Sequence, residues 1–508
     1  MESPASSSPA PPVPPLGRAA GVAVRWNGAA ALVTLVSQLA QIFVLARWLS
    51  PAEFGLAAAA LAVITFVAGL SGLGLTNALI HRDVLTRKAW ASAWWASLVA
   101  GLVLLAGSLA TATLLENLLR LPGLAALIVF AAVVIPVSGP SSVYQAHLQR
   151  HLRFRRLATV EIVAALLGLV VALVWAWFRR EALALVAGQV VHALVRGLAL
   201  AFASPLRPAP RLRWAELRPV AGYSGYQLAE RVAAHALTSF DRLLVARFLG
   251  PAAAGYYFMA SQIAFKPVAL LGPFTARTLL PLLARIRAER ARTASSYLRA
   301  LSSLSLPSAI IYMLLFGLAA PLVAWVLGPG WEPSVPVLQI LCLAGFLMVP
   351  GNVLGNLTMA LGRAGVSFWT GALLLAARLV AIPVGARYGL EGVAAALLVV
   401  TLLSLTVDYV LPRLWLGVGA GALTRAAGWA VPPAVAGGGV MLGVVAWLGG
   451  ASTFVELGVA GTAGLATFLL CARLLAGDAL KSAVFELVDK LGKGAKTGPE
   501  TRAPSHVP

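Results

Sequence analysis

Charged side chains are scarce in this sequence, and acidic ones are the scarcest. Only 11% of the 508 residues are charged, and 18 Asp and Glu stand beside 39 Lys and Arg. Soluble domains have about 25% charged residues. With 60% hydrophobic residues and a mean hydropathy of +0.86, the chain is too apolar for a nucleic-acid-binding protein, despite its net charge of +21. The composition predicts a polytopic membrane protein without a nucleic-acid partner.

Cysteines and catalytic signatures are also scarce. Cys342 and Cys471 both lie in apolar runs, so no disulfide framework is indicated. The sequence has no metal-ligand spacing of His and Cys and no nucleophile elbow, and GKGAKT at 492–497 lacks the first glycine of a phosphate loop. We therefore expect no metal, no cofactor and no enzymatic activity. The Pro/Ser/Ala-rich start, without a basic stretch before an apolar one, predicts a disordered tail over 1–17 and not a signal peptide.

Long apolar runs, in contrast, follow one another along the whole chain. A bilayer core of about 30 Å takes about 20 helical residues. On that basis we expect an all-α integral membrane fold of about fourteen spans. They cover 26–47, 54–80, 89–113, 123–147, 157–178, 182–204, 220–246, 252–276, 300–327, 335–361, 366–385, 390–411, 426–449 and 454–474.

The basic residues divide unequally between the two sides of these spans. Of the 39 Lys and Arg, 28 fall on the side of the N-terminus, 6 on the opposite side and 5 within spans. Cytoplasmic loops carry an excess of Lys and Arg. Both termini are therefore expected in the cytoplasm, and apolar residues at helical spacing over 476–493 predict an amphipathic helix on the inner leaflet.

A ten-residue stretch recurs at an offset of 200. Residues 46–55 (ARWLSPAEFG) and 246–255 (ARFLGPAAAG) match at six of ten positions, including Arg, Pro and Gly at fixed spacing. Two similar turns without common ancestry are the alternative, but fixed spacing favours a duplicated chain. We expect two pseudo-symmetric six-helix lobes plus two peripheral helices. The expected division is 18–204 (first lobe), 205–219 (cytoplasmic linker), 220–412 (second lobe), 413–475 (spans 13 and 14) and 476–508 (amphipathic helix and tail).

Polar residues inside spans mark a candidate site, because charged groups within a bilayer normally face protein or a wet cavity. Span 7 carries a stripe of them at helical spacing, from Ser224 to Arg242. They either tie helices together or line a cationic cavity for an anionic, phosphate-bearing substrate, and we favour the cavity. The expected substrate-binding cations are Arg231, His235, Arg242, Arg196, Lys266 and Arg378; the expected polar lining is Gln38, Gln41, Gln227, Thr238 and His192; the candidates for ion coupling are Asp241 and Asp408.

Four stretches carry a resemblance to a known family. They are ARWLSPAEFG (46–55), LQRHLRFRRLATVE (148–161), FDRLLVARFLGPAAAGYY (240–257) and GPGWEPSVPVLQILCLAG (328–345). Together they resemble the polysaccharide-transporter family of the multidrug/oligosaccharidyl-lipid/polysaccharide exporter superfamily, and within it the lipopolysaccharide and exopolysaccharide flippases. The resemblance covers about 18–475.

This resemblance implies a function. It implies movement of an undecaprenyl-diphosphate-linked oligosaccharide, such as an O-antigen or exopolysaccharide repeat unit, across the cytoplasmic membrane by alternating access of two lobes. The implied partners are this substrate and membrane lipids, with a polysaccharide polymerase and export machinery as candidates. Two alternatives stay open. A drug or cation exporter of the same superfamily would need uncompensated acids in the spans, and a membrane enzyme of polysaccharide assembly would need a large outer loop.

Overall fold

The computed structural model describes residues 16–72, 79, 86–208, 214–449 and 452–496. The first fifteen residues, the middle of the linker (209–213) and the last twelve residues, which carry parts of our predictions, lie outside the described residues. The backbone alone is described at 16–24, 214–231, 233–235, 237, 238, 273, 274, 277, 364 and 476–496.

All regular structure in the described part of the chain is α-helical. The longest helix, α8, is divided by non-helical backbone at Gly250 (φ 86°, ψ 176°) into α8a (214–249) and α8b (251–286). The helices are α1 (Leu16–Trp48), α2 (Pro51–Ser71), α3 (Arg87–Leu119), α4 (Leu124–Ala131), α5 (Val134–Arg150), α6 (Phe154–Phe178), α7 (Ala182–Ala203), α8 (Trp214–Ile286), α9 (Arg290–Gly317), α10 (Ala319–Val326), α11 (Ser334–Ala360), α12 (Ala364–Ala386), α13 (Gly389–Leu416), α14 (Ala420–Gly428), α15 (Val431–Trp447) and α16 (Thr453–Lys496).

The fold class expected from the sequence is confirmed. In the described residues, 13 helical segments are long and apolar enough to cross a membrane. One of them, Ser239–Gly272, runs across the break at Gly250 and so includes parts of two helices. The expected count of about fourteen agrees with this arrangement.

Three expected spans each include parts of two helices. Span 4 consists of α4 and α5, span 9 of α9 and α10, and span 13 of the end of α14 and α15. Pro136 and Pro321 stand at the third position of α5 and α10. Proline has no N–H to donate and is tolerated in the first turn of a helix, so both helices begin just before a proline. Apolar composition continues across both breaks, and for that reason hydropathy alone predicts single spans.

The two copies of the recurring stretch begin α2 and α8b and cross each other. Ser50 caps α2 by accepting a hydrogen bond from the Glu53 amide at 3.3 Å. At the crossing, a Cβ added to Gly55 would overlap the carbonyl oxygen of Pro251, and one added to Gly255 would overlap that of Pro51. The contact is reciprocal, as expected for a contact between two copies of one motif about a two-fold axis.

We call the end of the bundle that holds this crossing the motif end, and the opposite end, which holds the Arg-rich segments 150–156 and 285–299, the basic end. We call α1–α7 the first half and α8–α13 the second half, and one apolar core joins them at the motif end. At the basic end each half has a separate core. Helices α15 and α16 pack on each other and on α9, at the side of the second half. The shared core includes Leu45, Phe54, Met259, Trp331 and Leu338; the separate cores include Trp90, Val143 and Leu157 in the first half, and Leu283, Tyr297 and Leu357 in the second.

Candidate functional site

A cavity of about 590 Å³ lies between the first half and α8. Its walls come from α1, α2, α4, α5 and α7, and from both parts of α8. Phe54 reaches it from the motif end, where the shared core lies, and Gly69 and Arg196 line it toward the basic end. The cavity is therefore blocked at the motif end by packed helices.

Two cations that the sequence predicts for the site line this cavity from α8. Arg242 lies on α8a with its guanidinium carbon 4.9 Å from the centre of the Phe258 ring on α8b. Lys266 lies on α8b, and its Nζ donates to Oε1 of Gln38 on α1 at 2.7 Å. Neither forms an ion pair with a described carboxylate. The two are close enough to interact electrostatically with each other, so this wall of the cavity is positively charged.

A third predicted cation lines the cavity but is neutralised. Arg196 on α7 donates through Nε to Oε1 of Glu161 on α6 at 2.6 Å. Nη2 of Arg196 donates to Oε1 of Gln145 on α5 at 2.7 Å. His192, one helical turn away on α7, also lines the cavity. Arg196 thus fixes three helices of the first half in register while its charge is balanced by Glu161.

The structure places Arg378 away from this cavity. Its guanidinium donates to Oδ2 of Asp241 at 2.9 Å, which ties α12 to α8a. The side chains are only 15% and 8% exposed. Arg378 is not among the residues that line the cavity, and its charge balances that of Asp241. Asp408 lies on α13, also away from the cavity.

The polar lining is richer than the prediction. Gln38 and Gln41 line the cavity as expected, and Nε2 of Gln41 is buried without a hydrogen-bond partner in the described structure. The cavity is also lined by polar residues that are not among the expected site residues, namely Thr65, Ser138, Ser141, Gln189 and Gln262. Lone Ser and Thr residues in spans are common and give no signal, whereas Gln262, four residues before Lys266, is a helical neighbour that could have been found from its spacing.

Four expected site residues belong to the part of α8a described by its backbone alone. The helix runs without a break through Gln227, Arg231, His235 and Thr238. Their side chains lie outside the described residues, so their assignment to the cavity stays a prediction.

Aromatic residues seal the motif end. Trp331 is 1% exposed, and its indole N–H donates to the Ala46 carbonyl at 3.0 Å. Its ring stands edge-on to Phe54 at 5.4 Å and to Tyr256 at 5.9 Å. Because Phe54 lies in the first copy of the motif and Tyr256 directly follows the second, one indole closes the junction of the two halves. The sequence marks Trp331 only as part of the GPGWEP stretch.

Fold and cavity together define a multi-pass membrane protein of a known transporter architecture. The structure is similar to a solved lipid II flippase, MurJ, in an inward closed conformation, with a TM-score of 0.72 over 90% of this chain and 100% of that one. It is also similar to an inward-facing multidrug resistance transporter of the MATE family, with a TM-score of 0.55 over 79% and 99%. The identities are 12% and 16%, so these likenesses establish the fold alone.

The sequence itself determines the family. The family model described as "Polysaccharide biosynthesis protein" matches residues 44–336, and the chain belongs to this family. The lipopolysaccharide biosynthesis protein WzxC of Escherichia coli K12 is 27% identical, over 76% of this chain and 79% of its own length. The succinoglycan biosynthesis transport protein ExoT of Rhizobium meliloti is 28% identical, over 72% and 74%.

Proposed function

We propose that the protein is a flippase that moves an undecaprenyl-diphosphate-linked oligosaccharide across the membrane. The observation that carries this proposal is the pair Arg242 and Lys266, two neighbouring cations on a cavity wall without a carboxylate partner in the described structure. Like charges held close together are stabilised by an anion that binds between them. A diphosphate supplies several oxygens for an Arg fork and a Lys ammonium at once.

The other walls suit the rest of such a substrate. Amide and hydroxyl side chains on α1, α5 and α7 offer donors and acceptors to sugar hydroxyls. Lys266 and Gln38 bind each other in the present arrangement. A phosphate oxygen would take the place of the Gln38 carbonyl oxygen, and the amide would be released toward the sugar.

Alternating access is supported by the distribution of the apolar cores. The halves share a core only at the motif end, so the arrangement described here would load substrate from the basic end. Release would require separating α2 from α8b and withdrawing Trp331 from Ala46. The resting state of the transporter would then be the arrangement that is closed at the motif end.

Orientation and location follow from the charge distribution. The basic end would be cytoplasmic by the positive-inside rule, with both termini on that side. We infer a transporter of the bacterial cytoplasmic membrane and not an enzyme. A polysaccharide polymerase would receive the substrate at the outer face.

The test is transport by the purified chain in proteoliposomes. The probe is undecaprenyl diphosphate carrying a short oligosaccharide with a fluorescent group, and flipping is followed as loss of fluorescence to an added impermeant quencher. Arg242→Gln and Lys266→Gln should each weaken binding about ten- to a hundredfold, because a charge-assisted hydrogen bond contributes about 1.5–3 kcal/mol. Arg242→Lys should recover binding only in part, because a point charge does not reproduce the fork.

A matched control distinguishes site charge from total charge. Arg180→Gln removes one positive charge from an exposed position at the motif end, and should leave binding and flipping unchanged. Thermal unfolding of each variant checks that the fold is retained. Flipping at the wild-type rate by a folded Arg242→Gln, Lys266→Gln double variant would reject the proposed site.

A further inference from the structure

A small recess adjoins the cavity between α1, α6 and α7. We call it the side pocket. Its volume is about 30 Å³, and it shares four lining residues with the cavity, namely Gln38, Gln41, Gln189 and His192. The side pocket is therefore a recess in the wall that the first half contributes to the cavity, next to the space where a substrate would lie.

The side pocket is polar on two sides, apolar on the third, and uncharged. Helices α1 and α7 contribute the shared amides and imidazole, and α1 adds the hydroxyls of Thr34 and Ser37. Helix α6 contributes Ala165, Gly168 and Leu169. No Lys, Arg, Asp or Glu is among the described residues that line it. Such a set offers hydrogen-bond donors and acceptors without net charge, so it suits a neutral polar group and not an ion.

Gln41 brings an unpaired donor to this place. The residue is 9% exposed, and its Nε2 is buried without a hydrogen-bond partner in the described structure. An unpaired buried donor is costly, and a ligand oxygen would remove that cost. The terminal torsion of a glutamine side chain is soft. The amide can therefore turn its unpaired N–H toward an oxygen that enters the side pocket.

Close packing of α6 and α7 fixes the size of the side pocket. A Cβ added to Gly188 would lie 3.1 Å from Nε2 of Gln41, 2.9 Å from the Gly168 carbonyl oxygen and 2.7 Å from the Cβ of Ala172. The two helices thus approach each other at their backbones. Because backbone and not flexible side chains bounds this part of the recess, its size is set by the packing of the helices.

This size limits the group that can enter. A water molecule needs about 10–15 Å³ on the same measure, so the side pocket holds a group of about two heavy atoms. A sugar ring is too large, and a ring hydroxyl projects from the ring by a single bond. The hydroxymethyl group of a hexose projects by one carbon more and ends in a hydroxyl. Its methylene suits the apolar wall from α6, and its hydroxyl suits the amides.

Gln38 connects the side pocket to the cationic wall of the cavity. Its Oε1 accepts a hydrogen bond from Nζ of Lys266 at 2.7 Å, and the same side chain lines the side pocket. A diphosphate held by Arg242 and Lys266 would therefore lie one glutamine side chain away from the side pocket. The sugar that reaches the recess is then the first one, which is bonded directly to the diphosphate.

We propose that the side pocket binds the hydroxymethyl group of this first sugar and so selects a neutral hexose, with Gln41 as the residue that recognises the hydroxyl. The inference rests on the proposed function, because the diphosphate sets the position of the sugar. In a 6-deoxyhexose, a methyl group would leave the Gln41 donor unpaired. In a uronic acid, a carboxylate would bring an unbalanced charge into an uncharged recess. Sites built to hydrogen-bond a hydroxyl reject the analogue that lacks it.

The experiment compares probes that differ only at the sixth carbon of the sugar. Citronellyl diphosphate carrying glucose, 6-deoxyglucose or glucuronic acid is titrated into the purified full chain in detergent, and dissociation constants are measured by calorimetry. The glucose probe should bind about ten- to a hundredfold more tightly than either of the others. Gln41→Met keeps the length of the side chain without its donors, and should make the glucose and 6-deoxyglucose probes bind about equally.

Gln262→Met is the matched control, because Gln262 lines the cavity but not the side pocket. It should keep the wild-type preference for the glucose probe. Thermal unfolding checks that each variant is folded, and Gln41→Leu is a second apolar variant should the methionine fold poorly.

Three results would overturn the proposal for the side pocket. They are equal binding of the glucose and 6-deoxyglucose probes by the wild type, an unchanged preference in a folded Gln41 variant, and a Gln41 dependence seen only with a probe that carries N-acetylglucosamine. Failure of the proposed function is seen separately, because Arg242→Gln would then bind every probe as tightly as the wild type does. Absence of binding by all probes would overturn both proposals.

Discussion

Charged residues within the spans fall into two groups according to their partners. Arg196 and Arg378 each bind a carboxylate from another helix, whereas Arg242 and Lys266 face the cavity without one in the described structure. The first pair of residues holds helices together, whereas the second pair lines the cavity, where binding of a ligand is our proposal. The two interpretations of the intramembrane polar residues therefore concern different residues.

The Asp241–Arg378 pair allows a direct test of its structural role. Removing one partner of a buried ion pair leaves an uncompensated charge and costs about 3–5 kcal/mol, whereas replacing both is often nearly neutral. Asp241→Asn and Arg378→Met alone should each lower the unfolding temperature and the amount of protein in the membrane. The double variant should recover most of both, as measured by thermal unfolding in detergent and by quantitative blotting.

A surface pair provides the matched control. Arg292 and Glu289 approach to 3.5 Å with side chains 64% and 59% exposed, and such pairs contribute about 0–1 kcal/mol. Arg292→Met should leave stability unchanged. A double Asp241→Asn, Arg378→Met variant that is less stable than either single variant would contradict the interpretation of the pair as a tie between α12 and α8a.

Helical spacing predicts which polar residues share one face of a helix, but it does not predict their partners on other helices. Helical spacing places Arg242 on a polar stripe, and Gln38, Gln41 and His192 also line the cavity as expected. Glu161 lies 35 residues before its partner Arg196 in the sequence, and Asp241 lies 137 residues before its partner Arg378. Periodicity describes one helix at a time, so it contains no information about which helices face each other.

At the scale of whole helices, hydropathy locates the spans but not their interruptions. The breaks between α4 and α5 and between α9 and α10 lie where apolar composition continues. A proline in the first turn of the second helix accompanies each of them without changing hydropathy. The motif comparison did predict the turn at Gly250, because Ser50 and Gly250 occupy the same place in the two copies.

The crossing of α2 and α8b depends on two glycines. Adding a Cβ at Gly55 or Gly255 would force the opposing proline carbonyl away, and overpacking of this kind costs about 1–3 kcal/mol. Gly55→Ala and Gly255→Ala should each lower the unfolding temperature and loosen the motif end. Differential scanning fluorimetry of the purified variants measures the effect.

Glycines in open positions give the comparison for this prediction. Gly107 in α3 and Gly443 in α15 have nothing within 4 Å of an added Cβ, and alanine is a better helix former than glycine by about 1 kcal/mol. Gly107→Ala and Gly443→Ala should therefore be neutral or stabilising. Equal stability of all four variants would show that the α2–α8b crossing does not limit the stability of the fold.

On the scale of the whole molecule, the two ends differ in both packing and charge. The motif end has one continuous core, sealed by Trp331, and the basic end has a core in each half. The basic end also carries the Lys- and Arg-rich segments of the sequence. Packing therefore determines which end is closed in this arrangement, and charge predicts which side of the membrane that end faces.

The predicted orientation can be tested with two positions at opposite ends of one helix. Arg363 precedes α12 at the basic end, and Tyr388, 79% exposed, follows it at the motif end. In a background with Cys342→Ala and Cys471→Ala, an impermeant maleimide added to intact spheroplasts should label Tyr388→Cys and not Arg363→Cys, because the positive-inside rule places the basic end in the cytoplasm. Permeabilised spheroplasts, in which both positions should react, control for local accessibility. Labelling of Arg363→Cys alone in intact spheroplasts would reverse the orientation, and with it the direction in which the cavity is loaded.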